Sequence, residues 1–359
     1  MKRILCLIDS LGPGGAQRQL VGLASFLKAR DYDITVLYYH DNTFYLPQLM
    51  YNRVNHVYLK KANSKFLRII YIANYIRKIN PDVVISYLET PSICASIAHL
   101  FNRTFKLVVS ERNTTQYTGI SEKVRFNFFR LADYIVPNSF AQADYIGMTF
   151  PFLKSQVVVI PNFVDLYHFS PGCLRYRHDI PQIIIVATIW ESKNTLGFID
   201  AVAKLKEKGH RFHIKWYGKD RCHLDYFDQC FKKIDDLGLS NYIELKEKSS
   251  NICEKYQESD YFCLPSFYEG TPNALCEAMA CGLPITCSDV CDNGRYVVEG
   301  KNGTLFDPRN IDSIVIAIER ILSINDDEYQ SYCRESRARA EYMLSEDKFV
   351  KSYIKIIEQ

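Results

Sequence analysis

Short apolar runs alternate with amphipathic helical patterns along almost the whole chain. The first half predicts strands near Ile4–Asp9, Ile34–Tyr39, Val83–Tyr87, Leu107–Glu111, Tyr134–Pro137 and Val157–Ile160. The second half repeats the pattern and predicts strands near Ile183–Ala187, His213–Tyr217, Ile243–Leu245, Tyr261–Pro265, Ile285–Ser288 and Thr304–Phe306. A helix is predicted over Ala16–Ala29, and the chain after Asp307 is helical in pattern. This alternation is typical of parallel sheets with crossover helices, and therefore of the α/β class.

A polar interruption divides the pattern in two. Residues 161–179 contain turn-forming residues and no sustained period, which is typical of an interdomain linker. We therefore predict two doubly wound, Rossmann-like domains at 1–165 and 166–340, and a C-terminal helix at 341–359 that returns to the first domain. A length of 359 residues agrees with two domains. Ligands of such sheets bind beyond the carboxyl ends of the strands, so we expect a shared central cleft.

Composition and charge narrow the functional classes. Hydrophobic residues make up 47% of the chain and charged residues 24%, as in ordinary folded proteins. The formal net charge of +3 argues against nucleic acid as a partner. No run approaches the roughly 20 apolar residues of a membrane span. The first apolar run stops at Asp9 and is followed by glycines, which favours a buried strand over a signal peptide. We therefore expect a cytoplasmic protein.

No metal centre is predicted. The cluster Cys276, Cys281, Cys287 and Cys291 has spacings of 5, 6 and 4, without a CxxC pair, which favours reduced thiols over a zinc site. The D-x-D match at Asp31–Asp33 precedes the second strand, and we interpret it as a solvated turn.

The segment Ser266–Pro284 has the most specific local pattern. A strand feeds a loop in which Thr271 is placed to cap a helix, with Pro272 at its first position. Gly282 ends that helix. The first amides of such a helix have no intrahelical acceptor and can bind an anion or a sugar hydroxyl. These amides belong to Asn273, Ala274 and Leu275.

Two glutamates belong to the same strand–loop–helix unit. Glu269 lies in the loop and Glu277 lies eight positions later, inside the helix. Two carboxylates at this spacing can hold two parts of one polyhydroxylated ligand. The alternative is a solvated loop residue and a surface ion pair, and we favour the ligand site because both residues lie in one such unit.

This segment resembles the GT-B fold retaining glycosyltransferases of glycosyltransferase family 4. Their pattern S-x-x-E-G-x-P-x-x-x-x-E-A-M-A-x-G-x-P is matched from Ser266 to Pro284. The resemblance covers the whole chain, since the glycine-rich first loop, Asn162–Asp165 and Gly300–Gly303 also correspond. It implies that Glu269 contacts donor-sugar hydroxyls, that Glu277 holds the ribose hydroxyls, and that the amides near Gly270 and Pro272 face the sugar.

The resemblance also implies a reaction. A sugar would pass from a nucleotide-sugar, either UDP-linked or GDP-linked with UDP favoured, to a glycan or lipid-linked (polyprenyl) acceptor with retention of anomeric configuration, as in bacterial surface polysaccharide biosynthesis. The departing phosphate would take the acceptor proton, so that no dedicated base is required. No metal is expected, because the only D-x-D match lies in a turn before the second strand. The catalytic residues would be Glu269, Lys193 and Glu111. The donor-binding residues would be Gly14, Gly15, Thr188, Lys193, Glu269, Gly270, Thr271, Pro272, Asn273, Ala274, Leu275 and Glu277.

The glycine-rich loop after the first strand has three interpretations. A dinucleotide fingerprint is disfavoured, because Gln17 occupies the place of its third glycine and no acidic residue closes the second strand. The resemblance implies instead that the backbone of Gly14 and Gly15 approaches the donor diphosphate. A simple tight turn is the third interpretation.

Two positions depart from the family. Its members carry an Arg and a Lys five positions apart as diphosphate ligands; Lys193 matches the Lys, whereas Thr188 stands in place of the Arg. Gly294-Arg295 stands where Pro-Glu is common. Arg18, Arg112 and Arg295 are candidates for the missing cation.

The end of one strand and a basic surface each have both a functional and a structural interpretation. Glu111 and Arg112 end a strand, and they either position the acceptor or form a structural ion pair. The basic residues around the apolar helix Phe66–Ile76 form either a solvated face or a surface that docks on anionic lipid at the inner face of the cell membrane. The basic residues are Lys60, Lys61, Lys65, Arg68, Arg77 and Lys78.

Three other functions are possible from the sequence. A nucleotide-sugar epimerase would share the architecture. A non-catalytic nucleotide-sugar-binding protein could carry Thr188 in place of the family's Arg. An NAD-dependent oxidoreductase is disfavoured, because it would need the fingerprint that the first loop lacks.

Overall fold

A computed structural model describes residues 1–64, 67–112, 114–115, 117–172, 177–219 and 222–359. The chain divides into two compact units. Unit 1 contains Met1–Phe163 and Glu346–Gln359, and unit 2 contains Val164–Ser345.

The strands and helices are numbered in chain order. The strands are β1 (Arg3–Leu7), β2 (Asp33–Tyr38), β3 (Asn55–Tyr58), β4 (Val83–Tyr87), β5 (Lys106–Glu111), β6 (Tyr134–Pro137), β7 (Gln182–Val186), β8 (His213–Lys219), β9 (Ile243–Glu247), β10 (Tyr261–Leu264), β11 (Ile285–Ser288) and β12 (Gly303–Phe306). The helices are α1 (Gly15–Lys28), α2 (Leu46–Tyr51), α3 (Arg68–Ile79), α4 (Glu89–Phe101), α5 (Ile120–Phe129), α6 (Phe140–Thr149), α7 (Thr195–Glu207), α8 (Leu224–Asp236), α9 (Ile252–Gln257), α10 (Asn273–Ala280), α11 (Asn293–Tyr296), α12 (Ile311–Leu322), α13 (Asp326–Leu344) and α14 (Glu346–Glu358). Short 3₁₀ turns lie at Lys60–Asn63, Pro151–Gln156 and Glu191–Lys193.

Each unit is built on a six-stranded parallel sheet. The strand order is β3-β2-β1-β4-β5-β6 in unit 1 and β12-β11-β10-β7-β8-β9 in unit 2. Counted from the first strand of each unit, both orders are the 3-2-1-4-5-6 order of the Rossmann fold, one of them read from the opposite edge. The predicted fold class, two Rossmann-like domains of the α/β type, is therefore confirmed.

Alternating side chains fill a core on both faces of each sheet. In β1, Ile4 and Cys6 pack with α1 and α14, whereas Leu5 and Leu7 pack with the core that contains residues of α3, α4, α5 and α6. In unit 2, Trp216 packs with residues of α7, α8 and α12, whereas Phe262 packs with residues of α9 and α10. Burial on both faces explains why these strands are nearly continuous apolar runs.

Two elements differ from the sequence prediction. Val157–Ile160 is not a strand: Val157 makes only an isolated bridge to Ile135. The amides of Val158 and Ile160 donate to the carbonyls of Ile135 and Pro137 at 2.9 and 3.1 Å. Pro137 has no N–H to donate in return, so the reciprocal bonds of a ladder do not form. The edge strand β3 was not predicted, because it is polar and only partly buried.

The C-terminal helix α14 is part of unit 1. Phe349 packs against the ring of Phe163 at 5.0 Å between centroids. The hydroxyls of Tyr353 and Tyr87 lie 2.8 Å apart in the core. No described helix is both long and apolar enough to cross a membrane.

We predict that Gly218→Ala destabilises unit 2. The loop after β7 lies directly against β8, where the Ile189 amide donates to the Gly218 carbonyl at 3.2 Å. A β-carbon at Gly218 would overlap the carbonyl oxygen of Ala187. Because the neighbour is backbone, we expect a loss of about 1–3 kcal/mol of unfolding free energy, measured by urea denaturation.

Gly172→Ala is the matched control in the same unit. A β-carbon there would make only ordinary van der Waals contact with Gln257, at 3.6 Å. Equal unfolding free energies of Gly218→Ala and Gly172→Ala would contradict the close approach of the loop after β7 to the carboxyl end of β8.

Candidate active site

The loop between β10 and α10 differs in one detail from the predicted cap. The N-cap position is occupied by Pro272, and α10 begins at Asn273, one residue later than predicted. Thr271 therefore does not cap the helix. Its hydroxyl lies 3.4 Å from the hydroxyl of Tyr296, and both groups are buried. Burial raises the pKa of Tyr296, so this hydroxyl stays protonated. Asn273, Ala274 and Leu275, whose amides were predicted to lie at the helix start, are the first three residues of α10.

The carboxylate of Glu269 is held on one side. Lys193 Nζ and Ser266 Oγ both donate to Glu269 Oε1, each at 2.6 Å. The side chains of Lys193 and Glu269 are 23% and 12% exposed, so this ion pair is partly shielded from water. The second oxygen, Oε2, has no hydrogen-bond partner in the part of the chain that the structure describes. It is therefore the oxygen that can meet a ligand.

Two loops meet at this carboxylate. Lys193 ends the 3₁₀ turn that follows β7, and Glu269 lies in the loop that follows β10. The amide of Phe267 donates to the Ser192 carbonyl at 2.9 Å, which fixes the loops to each other. Since β7 and β10 are neighbouring parallel strands, their carboxyl ends lie at the same edge of the sheet.

The loop that carries Lys193 is also fixed on its other side. Asn194 adopts a left-handed conformation (φ 56°) and is buried. Its Nδ2 donates to the Pro308 carbonyl, beyond β12, at 2.8 Å. Thr188, in place of the family's Arg, lies between β7 and this turn.

The second carboxylate, Glu277, is buried inside α10. Glu277 is only 5% exposed. The hydroxyl of Tyr256, on α9, donates to Glu277 Oε2 at 3.2 Å. The structure thus places Lys193, Glu269 and Glu277 in unit 2, around the β10–α10 segment.

The predicted site residues Gly14 and Gly15 lie in unit 1, at the start of α1. Gly14 is the N-cap residue and Gly15 is the first helical residue. The Gln17 side chain folds back over Gly14, and its Nε2 donates to Asp9 Oδ1 at 3.1 Å. A β-carbon at Gly14 would overlap Gln17 Oε1, so a larger residue here would displace the Gln17 side chain. The interpretation as a phosphate loop stays a prediction.

Glu111 lies in a buried ion pair. It is 3% exposed, and its Oε2 lies 3.6 Å from Arg125 Nε. The same guanidinium lies 3.6 Å from Glu89 and donates to Thr115 Oγ1 at 3.0 Å. This arrangement favours the structural alternative, and a catalytic role of Glu111 stays a prediction.

Arg112 is held by structural partners. Its Nη1 donates to Asn162 Oδ1 at 2.7 Å, its Nη2 donates to the Tyr353 hydroxyl at 2.9 Å, and its guanidinium stacks on the ring of Tyr87. To take over a phosphate, Arg112 would have to break the contacts that join α14 to the sheet. The structure therefore disfavours Arg112 as the substitute for the missing Arg.

One residue of the predicted basic surface is not on the surface. Arg68 is buried, donates to the carbonyls of Ala62 and Asn63, and stacks on the ring of Tyr39. Its guanidinium binds the end of the preceding 3₁₀ turn instead of facing solvent. Lys65 and Phe66 lie outside the described residues. The remaining members are exposed, namely Lys60, Lys61, Arg77 and Lys78.

The described residues contain no group of three or more His, Cys, Asp and Glu side chains placed to hold a metal ion. Cys276, Cys281 and Cys287 are buried thiols, and Cys291 is exposed. Burial raises the pKa of the Cys287 thiol well above its ordinary value. The D-x-D match begins at Asp31, in the turn that precedes β2.

Two contacts were not predicted from the sequence. Ser266 is three positions from Glu269 and belongs to the same motif, so its spacing was a usable signal. Tyr256 is 21 positions from Glu277, and only the fold brings the two together.

Comparison with known families assigns the chain to a class. Residues 13–168 match the family model described as Glycosyltransferase Family 4, and residues 174–339 match Glycosyl transferases group 1. The two models together span most of the chain. The protein belongs to this family of glycosyltransferases, as the motif at Ser266–Pro284 implied.

Curated relatives and solved structures agree with this assignment. A Campylobacter jejuni GalNAc-alpha-(1->4)-GalNAc-alpha-(1->3)-diNAcBac-PP-undecaprenol alpha-1,4-N-acetyl-D-galactosaminyltransferase is 23% identical over 345 residues, covering 92% of this chain and 91% of that protein. An Escherichia coli UDP-Gal:alpha-D-GlcNAc-diphosphoundecaprenol alpha-1,3-galactosyltransferase is 30% identical over 179 residues, covering 46% and 45%. A Rickettsia africae glycosyltransferase has the same fold, with a TM-score of 0.87, 18% identity and coverage of 99% and 98%. Anabaena Alr3699/HepE in complex with UDP and glucose gives a TM-score of 0.86 at 17% identity, with full coverage of both chains.

We predict that Lys193→Met strongly reduces turnover. Lys193 is the cation that contacts Glu269, and removing one electrostatic donor from an active site typically costs about 10²–10³-fold in kcat. The measurement is release of the nucleoside diphosphate from a panel of UDP- and GDP-sugars in the presence of a bacterial polyprenyl-diphosphate-linked glycan extract.

Lys204→Met is the matched control. Lys204 also forms a close ion pair, 2.8 Å from Asp312, but on the exposed surface of unit 2. We expect wild-type turnover for Lys204→Met, and turnover of Lys193→Met within twofold of wild type would contradict the assignment of the site.

Proposed function

We propose that this protein transfers a sugar from a UDP-linked donor to a polyprenyl-linked glycan, with retention of anomeric configuration. The observation that carries the proposal is the arrangement at β10–α10. One carboxylate, Glu269, has an oxygen available for a ligand and a lysine at 2.6 Å, and a second carboxylate, Glu277, is buried inside α10, eight positions later. Hydroxyl groups and a diphosphate are the ligands that suit this set.

The donor would be held by three kinds of group. Glu269 Oε2 accepts hydrogen bonds from hydroxyls of the sugar, and Glu277 accepts them from the ribose. Lys193 and the first amides of α10 face negative charge, since an amide-rich helix start favours anions. The Lys193 ammonium is paired with Glu269 at 2.6 Å, and in the proposed complex it would also attract the diphosphate.

The reaction needs little from the protein beyond electrostatics. The bond between the anomeric carbon and the β-phosphate oxygen breaks, and a bond from that carbon to the acceptor oxygen forms on the same face. The acceptor's proton passes to the departing phosphate oxygen. Negative charge therefore grows on the β-phosphate, where Lys193 stabilises it.

Relatives support the choice of donor and acceptor. The Campylobacter jejuni and Escherichia coli relatives are named for undecaprenyl-diphosphate-linked acceptors, and the latter for a UDP-sugar donor. The Anabaena structure with the same fold contains UDP and glucose. We transfer these classes to this chain, namely UDP-sugar as donor and a polyprenyl-diphosphate-linked glycan as acceptor.

We predict transfer with retention and without a metal ion. A UDP-α-linked sugar should give an α-linked product, detected by the anomeric proton coupling in NMR. The rate should be unchanged in excess EDTA. A β-linked product, or activity lost to EDTA and restored by Mg²⁺ or Mn²⁺, would contradict this mechanism.

A lipid-linked acceptor places the protein at a membrane, and one surface of unit 1 suits this location. Lys60 and Lys61 are exposed in the 3₁₀ turn before α3, and Arg77 and Lys78 are exposed at its end. We propose that this basic surface docks on the anionic inner face of the cell membrane. Each Lys or Arg near such a surface contributes about 1 kcal/mol of attraction.

We predict that the double variant Lys60→Glu, Lys61→Glu binds anionic vesicles at least about tenfold more weakly than wild type. Wild-type binding to vesicles with 30% phosphatidylglycerol, a composition chosen here as roughly bacterial, should fall as salt rises, because exposed charges are screened. The measurement is co-sedimentation.

The control reverses two exposed lysines of unit 2, Lys232 and Lys301, and so makes the same change in net charge. Similar losses in both double variants would show that overall charge drives binding. Equal binding of wild type to neutral and anionic vesicles would reject the docking surface.

A further inference from the structure

A buried tyrosine contacts the second carboxylate of the site. Tyr256 lies on α9 and is fully buried, and its hydroxyl donates to Glu277 Oε2 at 3.2 Å. Its ring packs edge-on against Phe262, with centroids 6.1 Å apart, and against Phe169 at 6.3 Å. The hydroxyl is therefore held in place by a fixed ring.

The fold explains how residues so distant in sequence meet. α9 precedes β10 and α10 follows it, and both helices pack on the same face of the sheet. Tyr256 thus reaches Glu277 through the apolar layer that also contains Phe262 and Leu275.

A carboxylate that binds a ribose benefits from a fixed orientation. The terminal torsion of a glutamate is broad, so an unsupported carboxylate samples many directions. A hydrogen bond to one oxygen restricts this rotation, and groups that are held in their binding geometry lose less freedom when the ligand binds. A bond to an ionised acceptor is also stronger than one between neutral groups.

We propose that Tyr256 is a positioning residue, which orients the carboxylate of Glu277 toward the ribose hydroxyls of the donor. The inference rests on the proposed function, in which Glu277 binds the ribose. A purely structural role for the hydroxyl predicts a different result, because loss of stability would not depend on which hydroxyls the nucleotide carries.

The test compares two nucleotides by calorimetry. UDP carries both ribose hydroxyls, and 2′,3′-dideoxy-UDP carries neither. In wild type we expect UDP to bind more tightly. In Tyr256→Phe we expect UDP affinity to fall about tenfold, whereas the affinity for 2′,3′-dideoxy-UDP stays within twofold of wild type. In Glu277→Gln, adding Tyr256→Phe should cause no further loss.

Tyr329→Phe is the matched control. Its hydroxyl is also buried in unit 2 and donates to the Asp260 carbonyl at 3.3 Å, on the other face of the sheet. It should change the affinity for neither nucleotide.

The outcomes separate the two proposals. Equal weakening of both nucleotides in Tyr256→Phe, or no weakening at all, would overturn the role of Tyr256 and leave the proposed function intact. A wild-type protein that binds UDP and 2′,3′-dideoxy-UDP equally would overturn the ribose assignment of Glu277, and the role of Tyr256 with it.

Discussion

The hydrogen bonds at Glu269 Oε1 organise the candidate active site. Lys193 comes from the loop after β7 and Ser266 from the loop after β10, and both donate to this one oxygen at 2.6 Å. The ion pair is partly buried, where a charge without a partner is unfavourable. The two loops are therefore coupled: displacing either one leaves a partly buried charge unpaired. This coupling leaves Oε2 as the carboxylate oxygen available to a sugar.

The parallel sheet of unit 2 determines where the loops of the candidate site lie. All strands of unit 2 end at the same edge, so the loops after β7, β10 and β12 lie along one edge of the sheet although they are distant in sequence. Asn194 joins the first of these loops to the last through the Pro308 carbonyl, and Phe267 joins the first to the second. A rigid scaffold that carries polar loops at one edge is the usual arrangement of ligand sites in such folds.

Much of this organisation was predictable from the sequence. Apolar strands buried on both faces are continuous signals, and they predicted the fold class and the strands of unit 2 other than the edge strand β9. The polar edge strand β3 had no such signal, and the failure of Val157–Ile160 depends on the missing N–H of Pro137 in a neighbouring strand. Among candidate site residues, Glu269 and Glu277 were predicted because motif and chemistry agree within one short segment. Side-chain partners were harder to predict. The sequence indicated a solvent-facing Arg68, but its guanidinium stacks on Tyr39. It indicated a ligand-facing Arg112, but this side chain contacts Tyr87 and Tyr353.

In the proposed function, the β10–α10 segment of unit 2 binds a nucleotide-sugar through Glu269, Glu277 and Lys193. A crystal structure of the protein with UDP tests it most directly. The account predicts ribose hydroxyls within hydrogen-bond distance of Glu277, and a β-phosphate next to Lys193 and the first amides of α10. UDP bound elsewhere, with Glu277 and Lys193 not in contact with it, would contradict the account.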